Sequence, residues 1–211
     1  MAKAQSECIY SVLLDSKATV KDQSVFNEKY DIDPSEWKYL YMLPRSVLID
    51  ERSRQFQYKI LQNYLSTNVQ LNKMKIRDNE LCSFCKQVPE TMEHLLATCS
   101  EVRQFWTSVR EWWFRIKQDM VMFTPSIIMF GHEARNMSHK NKLLNQVIII
   151  AKQYIYWCRI KNKKLSINEY TRRIEYTSAI EKLCAKTERA KCTFNLKWKN
   201  VIPGIALYAE D

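Results

Sequence analysis

Three cysteines and one histidine in the middle of the chain have the spacing of a metal site. They are Cys82, Cys85, His94 and Cys99, and their pattern is C-x2-C-x8-H-x4-C. Zn²⁺ takes four tetrahedral ligands of these types, thiolate sulfur and imidazole nitrogen. Because four protein ligands leave no position for water or substrate, the pattern predicts one structural Zn²⁺ and not a catalytic one. The alternative, a set of unrelated buried cysteines, would compete if the chain had the C-x2-C pair alone.

The interval between His94 and Cys99 places a condition on the backbone. Thr91 is the predicted N-cap of a short helix that carries His94 in its first turn and runs through Thr98. Five residues of an ideal α-helix rotate by about 140° beyond a full turn. The helix must therefore loosen or end before Cys99 if both residues bind one ion.

The remaining cysteines have no metal-site spacing. Cys8, Cys158, Cys184 and Cys192 fall among apolar helical positions, which predicts core thiols. The first residues show no signal-peptide pattern, and no apolar run approaches the ~20 residues of a membrane span. We therefore expect an intracellular protein of the nucleus or cytoplasm, not secreted and with no membrane partner. Cysteines in that reducing environment are thiols or metal ligands rather than disulfides.

Glycine is scarce, which favours helices. The chain has 2 glycines among 211 residues, against about 7% in average proteins. Phosphate-binding loops and dinucleotide fingerprints need several glycines close together, and tight hairpins need glycine at positive φ. We therefore expect a mainly α fold, a helical bundle-like body with a small CCHC zinc knuckle between helices. Gly131 is predicted to mark the chain reversal between a tryptophan-rich helix and a basic helix.

Apolar spacing and capping signals predict several helices. A helix begins at Asp33 and Pro34, and Pro44 ends it. The others cover residues 6–15, 50–65 (with Phe56, Ile60 and Tyr64 on one stripe), 100–120, 140–163, and 166–189 after a capping box at Ser166 and Glu169. The tryptophans of the 100–120 helix are predicted to pack in the core rather than to stack on bases.

The net charge of +10 is concentrated in residues 138–173, which contain 9 basic residues and 1 acidic residue. On the 140–163 helix, Lys152, Arg159 and Lys163 recur at i, i+7 and i+11 and so share one edge. A basic stripe with a nearby aromatic suits phosphates and a stacked base. The predicted nucleic-acid contacts are Lys152, Tyr156, Arg159, Lys163, Lys164, Arg172 and Arg173. The alternatives are an ordinary solvated face and, less favoured, a membrane-surface helix.

Several motifs follow one another in a familiar order. They are Arg54-Gln-Phe-Gln-Tyr-Lys-Ile-Leu61, Thr67-Asn68, Leu71, Lys73-Met74, Leu81-Cys-Ser-Phe-Cys85, Glu90-Thr-Met-Glu-His-Leu95, Leu96, Cys99 and Phe105-Trp106. This series resembles the zinc-binding region that follows the reverse transcriptase in open reading frame 2 proteins of non-LTR (LINE-like) retrotransposons. The likeness is strongest over 52–106. It implies zinc at the four ligands and binding of template RNA or target DNA.

Three segments are expected to form one continuous folded unit. They are an N-terminal helical segment (1–66), the reverse-transcriptase-type zinc-binding region (67–106) and a basic helical segment (107–211). Polymerase and endonuclease motifs are missing from this sequence. The resemblance therefore predicts a remnant or a separated fragment of such an element.

The favoured hypothesis is a non-enzymatic, zinc-stabilised module that binds RNA or DNA. Its alternative is a zinc-stabilised protein–protein interaction module without nucleic-acid binding, which an exposed Trp37 or Trp198 would favour. A protein partner fits either hypothesis, and the oligomeric state stays open.

An enzyme is the third and weakest hypothesis. Glu90, Glu93 and His94 have acid–base chemistry, but the histidine suits the metal better. Tyr208-Ala-Glu-Asp211 resembles a polymerase motif by coincidence, because no hairpin and second carboxylate accompany it.

Overall fold

Helices make up most of the chain that the structure describes. The structure is a computed structural model, and it describes residues 21–199 and Val201. Its α-helices, in chain order, are α1 (Lys21–Tyr30), α2 (Trp37–Val47), α3 (Glu51–Leu61), α4 (Asn68–Lys73), α5 (Ser100–Lys117), α6 (Pro125–Phe130), α7 (His139–Lys161), α8 (Ile167–Cys184) and α9 (Glu188–Trp198). A 3-10 turn (Pro34–Glu36) precedes α2, and a π-helical turn (His94–Thr98) precedes α5.

The prediction of a mainly α fold is confirmed. No β-strand occurs within the described residues, where a single bridge joins Leu81 to Pro89. None of the helices in this part of the chain is both long enough and apolar enough to cross a membrane.

Some sequence predictions lie outside the described residues. They concern the helix over residues 6–15, Cys8, and the segment Tyr208–Asp211. The predicted segment boundaries after residues 66 and 106 also stay predictions.

The first of two compact units ends at Trp37. In its described part, the side chain of Asp33 accepts a hydrogen bond from Ser35 N at 2.7 Å and so caps the 3-10 turn. Trp37 Nε1 donates to Asn27 Oδ1 at 2.7 Å. The predicted helix start at Asp33 is therefore confirmed.

Helix α7 lies at the centre of the second unit, which begins at Lys38. It contacts α3, α6, α8, α9 and the π-helical turn. Most of its apolar side chains between Leu143 and Cys158 are buried. Because neighbouring elements cover so much of its circumference, polar side chains of this helix also lie in the core.

Helix α5 packs its tryptophan-rich stripe into the core, as predicted. The buried members are Val102, Phe105, Trp106, Val109 and Trp113. The helix ends at Lys117 because Gln118 adopts a left-handed conformation with φ 50°. Met120, predicted within the helix, therefore lies beyond it and is exposed.

Pro44 lies inside α2 and does not end it, so that prediction is wrong. The helix continues to Val47. Proline removes one helical hydrogen bond, and that cost falls here on the last turn only. Ser46 Oγ donates to Leu43 O at 2.7 Å, and Leu43 and Val47 are buried in a cluster with Ile149. These contacts stabilise the turn despite the proline.

Helix α3 ends at Leu61 rather than at residue 65. The chain turns at Asn63, whose φ is 52°. Phe56 and Ile60 of the predicted stripe are buried, but Tyr64 lies past the turn and is 68% exposed. The prediction of one stripe through Tyr64 is therefore wrong.

The predicted helix over 166–189 is two helices, α8 and α9. The chain leaves the helical conformation at Ala185, and Thr187 starts α9 by accepting a hydrogen bond from Ala190 N at 3.2 Å. Ser166 precedes α8 as predicted but makes no capping hydrogen bond with its side chain. Glu169, the other half of the predicted capping box, accepts from the Tyr154 hydroxyl at 3.2 Å.

The cysteines outside the metal-site pattern differ in burial. Cys158 is buried as predicted, whereas Cys184 and Cys192 are exposed. Cys184 is the last residue of α8, so the helix break leaves it at the edge of the core. The prediction of core thiols is wrong for these two residues.

Gly131 ends α6 with φ 101° and so makes the predicted chain reversal between α5 and α7. A Cβ atom at this position would lie 2.5 Å from Leu43 Cδ2 and 2.7 Å from Asn145 Oδ1. Asn145 holds the following residue, because its Oδ1 accepts from His132 N at 2.7 Å and its Nδ2 donates to His132 O at 2.8 Å. Only glycine fits both the conformation and the space.

Candidate metal centre

A small turn presents the first two cysteines. Cys82 N donates to Val88 O at 2.8 Å, and Lys86 N donates to Cys82 O at 3.0 Å. Lys86 adopts φ 58°, a conformation that glycine takes more readily. Phe84 N points at Cys82 Sγ, at 3.4 Å. The turn thus places two sulfur atoms and a backbone amide around one point.

The four predicted ligands converge. One ligand atom from each of Cys82, Cys85, His94 and Cys99 lies within 4.8 Å of all the others. Cys82 Sγ and Cys99 Sγ are 3.8 Å apart, and Cys85 Sγ lies 3.4 Å from His94 Nε2. Bonds of ~2.3 Å to sulfur and ~2.0 Å to nitrogen put tetrahedral ligands about 3.8 Å and about 3.5 Å apart. This donor set fits a zinc-sized ion.

The backbone between His94 and Cys99 loosens before Cys99, as predicted from the ligand spacing. Residues His94–Thr98 form a π-helical turn, and Cys99 N donates to His94 O at 2.9 Å. An i→i+5 bond brings residues five positions apart back to the same side. Cys99 itself is extended, with ψ 137°, and α5 begins after it. The predicted cap is confirmed too, since Thr91 Oγ1 accepts from His94 N at 3.1 Å.

The protonation of the ligands depends on their environments. Burial raises the pKa of Cys82 to about 12. Burial also acts to raise the pKa of Cys85, but hydrogen bonds from the backbone N–H groups of Gln87 and Val88 outweigh it and lower the pKa. Burial lowers the pKa of His94, which keeps the ring neutral and able to donate an electron pair. A bound cation would favour the thiolate of Cys82.

A buried carboxylate anchors the cysteine turn. Glu90 is fully buried, and its Oε2 accepts from Ser83 N at 2.7 Å while its Oε1 accepts from Asn68 N at 3.0 Å. Arg159 of α7 donates from Nε to the same Oε1 at 2.8 Å. Arg159 Nη2 also donates to Asn68 Oδ1 at 2.9 Å. The metal-site turn, the start of α4 and the central helix are thus tied together by one polar network.

Two of the predicted nucleic-acid contacts belong to the core instead. Lys152 is fully buried, and its Nζ donates to Gln57 Oε1 at 2.5 Å and to Met129 O at 3.1 Å. Its desolvation lowers the pKa well below the usual lysine value. The side chain of Arg159 is 6% exposed in its ion pair with Glu90. The prediction of one exposed stripe is therefore wrong for both residues, because α3, α6 and the α4 region cover that edge of α7.

Tyr156 packs inward as well. Its ring lies 5.6 Å from that of Phe56, and Arg159 lies over it at 5.4 Å. Its hydroxyl donates to Ser66 O at 3.3 Å. The Tyr156 side chain is half-buried. These contacts account for its position without a bound ligand.

The remaining predicted nucleic-acid contacts are exposed or partly exposed. Lys163, Lys164 and Arg172 are exposed. Lys163 and Arg173 both lie over the ring of Trp157, at 4.9 Å and 4.3 Å. These residues form a cationic and aromatic surface at the end of α7 and the start of α8.

A cleft of about 520 Å³ lies between the cysteine turn, α5 and the α7–α8 loop. Lys86, Lys163 and Lys164 line it together with Phe84, and Glu101 is its acidic member. Sequence reasoning did not assign Lys86 or Phe84 to a binding surface. Their place in the sequence was the signal that could have found them. Phe84 lies between the candidate ligands Cys82 and Cys85, and Lys86 directly follows Cys85.

Residues 10–106 match the family model described as zinc-binding in reverse transcriptase. The matched stretch contains all four converging ligands and the Glu90 anchor. No curated protein matches the chain. The match supports the resemblance of this region to a zinc-binding region associated with reverse transcriptases.

Proposed function

We propose that this chain is a non-enzymatic, zinc-stabilised module that binds RNA or DNA. We further propose that it derives from the zinc-binding tail of a non-LTR retrotransposon reverse transcriptase, as a remnant or a separated fragment. The observation that carries the binding function is the cleft in which Lys86, Lys163 and Lys164 meet beside the metal centre. The match to a reverse-transcriptase zinc-binding region supports the same class.

The metal has a structural role in this proposal. Three cysteines and one histidine would fill all four tetrahedral positions around a bound ion, and Zn²⁺ is the ion that such donors hold most commonly. The ion would fix Cys85 against His94 and so fix the turn that carries Phe84 and Lys86. It supplies folding free energy and takes no part in a reaction.

The cleft has the chemistry that a nucleic-acid strand requires. Lys86 and Lys164 provide two positive charges for phosphates, and Lys163 provides a third, although its Nζ also lies 3.9 Å from Glu169 Oε1. Phe84 is partly exposed at the cleft wall, where an aromatic ring stacks on a base without sequence preference. The one acidic side chain, Glu101, leaves the cleft net positive.

A salt-titrated binding assay tests the proposal. The zinc-loaded protein is titrated with single-stranded RNA and with duplex DNA from about 50 to 200 mM salt, a range over which phosphate contacts weaken steeply. The double variant Lys163→Glu/Lys164→Glu should bind more weakly. The slope of log affinity against log salt should become shallower by about 1.4 for a single strand or about 1.8 for duplex DNA.

The matched control is Lys38→Glu/Lys59→Glu, which makes the same charge change at exposed positions outside the cleft. It should keep the wild-type slope. Absence of wild-type binding at about 50 mM salt, or equal loss in both double variants, would contradict the proposal.

An exposed Trp37 or Trp198 would favour the protein-interaction alternative, and both side chains are buried. Trp37 is 6% exposed and Trp198 is 1% exposed. Trp198 Nε1 donates to Glu181 Oε2 at 2.7 Å, as a core tryptophan does.

A further inference from the structure

A second basic groove lies at the opposite end of α7 from the cysteine turn. Its volume is about 490 Å³. Its walls come from the end of α2 and the connection to α3, from Arg54 of α3, from the first turn of α7, and from the end of α8 and much of α9. Lys142 in this groove and Lys161 near the first cleft are 19 residues apart on α7, which is about 28 Å along the helix axis.

The groove is more strongly basic than the cleft. Its five cationic side chains are those of Arg45, Arg54, Lys142, Arg189 and Lys197. Its one acidic side chain, Glu181, is bound to Lys197 at 2.9 Å and so is already neutralised.

Three of these cations have no acidic partner among the described residues. They are Arg45, Lys142 and Arg189. Arg54 differs, because it donates to Leu48 O at 2.7 Å and pairs with Glu51 at 3.3 Å. An excess of positive charge without internal partners is costly to assemble unless an anion offsets it.

The backbone adds to the positive potential. Helices α7 and α9 both begin at this groove, where His139 and Arg189 occupy their first turns. Helix N-termini carry partial positive charge and favour phosphate. His139 also lines the groove, and its Nδ1 atom is buried without a hydrogen-bond partner. The groove thus offers cationic side chains and two helix N-termini to a single ligand.

We propose that this groove binds the phosphodiester backbone of nucleic acid as a second contact region, separate from the cleft beside the metal centre. The inference rests on the proposed nucleic-acid function. It was not available from sequence spacing, because Arg45, Lys142 and Arg189 come from three distant segments. With both regions engaged, a bound nucleic acid contacts the two ends of α7.

The double variant Arg45→Glu/Arg189→Glu tests the inference in the zinc-loaded protein. Both side chains are exposed and carry no structural hydrogen bond within the described residues, so the fold should be kept, which circular dichroism checks. The salt dependence of binding should become shallower by about 1.4 for single-stranded RNA or about 1.8 for duplex DNA. The Lys38→Glu/Lys59→Glu control should keep the wild-type slope.

Free inorganic phosphate carries the same charged oxygens as a phosphodiester and is the other ligand that fits the groove. Calorimetric titration with inorganic phosphate distinguishes it from a phosphodiester strand. Oligonucleotide binding that depends on Arg45 and Arg189 supports the proposal. If inorganic phosphate binds but Arg45→Glu/Arg189→Glu leaves oligonucleotide affinity at the control level, the proposal is overturned.

The outcomes separate this inference from the proposed function. If Lys163→Glu/Lys164→Glu weakens binding and Arg45→Glu/Arg189→Glu does not, the groove is excluded and the function stands. If the wild-type protein binds neither RNA nor DNA at low salt, both fail.

Discussion

Arg159 and Glu90 form a buried ion pair with a nitrogen–oxygen distance of 2.8 Å. Their side chains are 6% and 0% exposed. Glu90 also receives a hydrogen bond from Ser83, between the first two metal ligands, so the pair couples the metal-site turn to the central helix. A residue predicted to contact nucleic acid thus anchors the turn that carries Cys82 and Cys85.

Arg159→Ala should therefore destabilise the protein strongly. Removing one partner of a buried ion pair leaves the other charge without compensation and costs about 3–5 kcal/mol. Urea unfolding of the zinc-loaded protein measures the change in the free energy of unfolding. Arg172→Ala is the control, because Arg172 is exposed and surface substitutions stay within about 0.5 kcal/mol. A similar small change for Arg159→Ala would contradict the structural role.

Lys152→Met should leave nucleic-acid affinity unchanged, whereas Lys164→Glu should weaken it. Lys152 is buried and bonded to Gln57 Oε1, while Lys164 lies exposed in the cleft. The two variants are compared in the same salt-titrated assay. A loss of affinity in Lys152→Met at unchanged secondary structure would restore the idea of a stripe on α7.

Lys152 should also make stability depend on pH. Burial lowers its pKa in the folded state, so between that value and the unfolded lysine value the unfolded chain binds the extra proton. Stability then rises with pH, by at most about 1.4 kcal/mol per pH unit. The free energy of unfolding of the wild type should rise relative to that of Lys152→Met as the pH approaches the unfolded lysine value of about 10.4 from below. A constant difference between the two proteins would contradict the assignment.

Gly131→Ala should destabilise the fold. The position has φ 101°, and a Cβ atom would lie 2.5 Å from Leu43 Cδ2. A strained conformation of this kind costs about 1–3 kcal/mol before the clash is counted. Thermal unfolding measures the loss. An unchanged melting temperature would mean that the turn relaxes and that Asn145 does not fix it.

Removing the metal should unfold at least residues 67–106. Zinc binding contributes about 10–16 kcal/mol in small zinc modules near pH 7, and here it must also supply the cost of ionising the buried Cys82. Amide hydrogen exchange after chelation should show lost protection in this stretch. Adding zinc back should restore it. Full protection in the chelated protein would mean that the polar network around Glu90 holds the turn without an ion.

Local chemistry made the convergence of the four candidate ligands predictable. The ligand spacing confines Cys82 and Cys85 to one turn, and helix geometry alone required a loosened backbone before Cys99. The π-helical turn meets that requirement. Short-range capping was equally predictable at Asp33 and Thr91.

Long-range contacts were not predictable by the same means. Helical periodicity puts Lys152 and Arg159 on one edge of α7, but it does not tell which distant segment covers that edge. Their partners, Gln57 and Glu90, are 95 and 69 residues away in sequence. The basic groove was missed for the same reason, since its cations come from segments that only the fold brings together.

The zinc content of the purified protein is the sharpest test of a structural zinc ion held by Cys82, Cys85, His94 and Cys99. Elemental analysis in reducing buffer compares the wild type, Cys85→Ser and Cys192→Ser, whose exposed cysteine lies outside the site. We expect one zinc per chain in the wild type and in Cys192→Ser, and far less in Cys85→Ser. Less than one equivalent in the wild type, or undiminished zinc in Cys85→Ser, would contradict this zinc site.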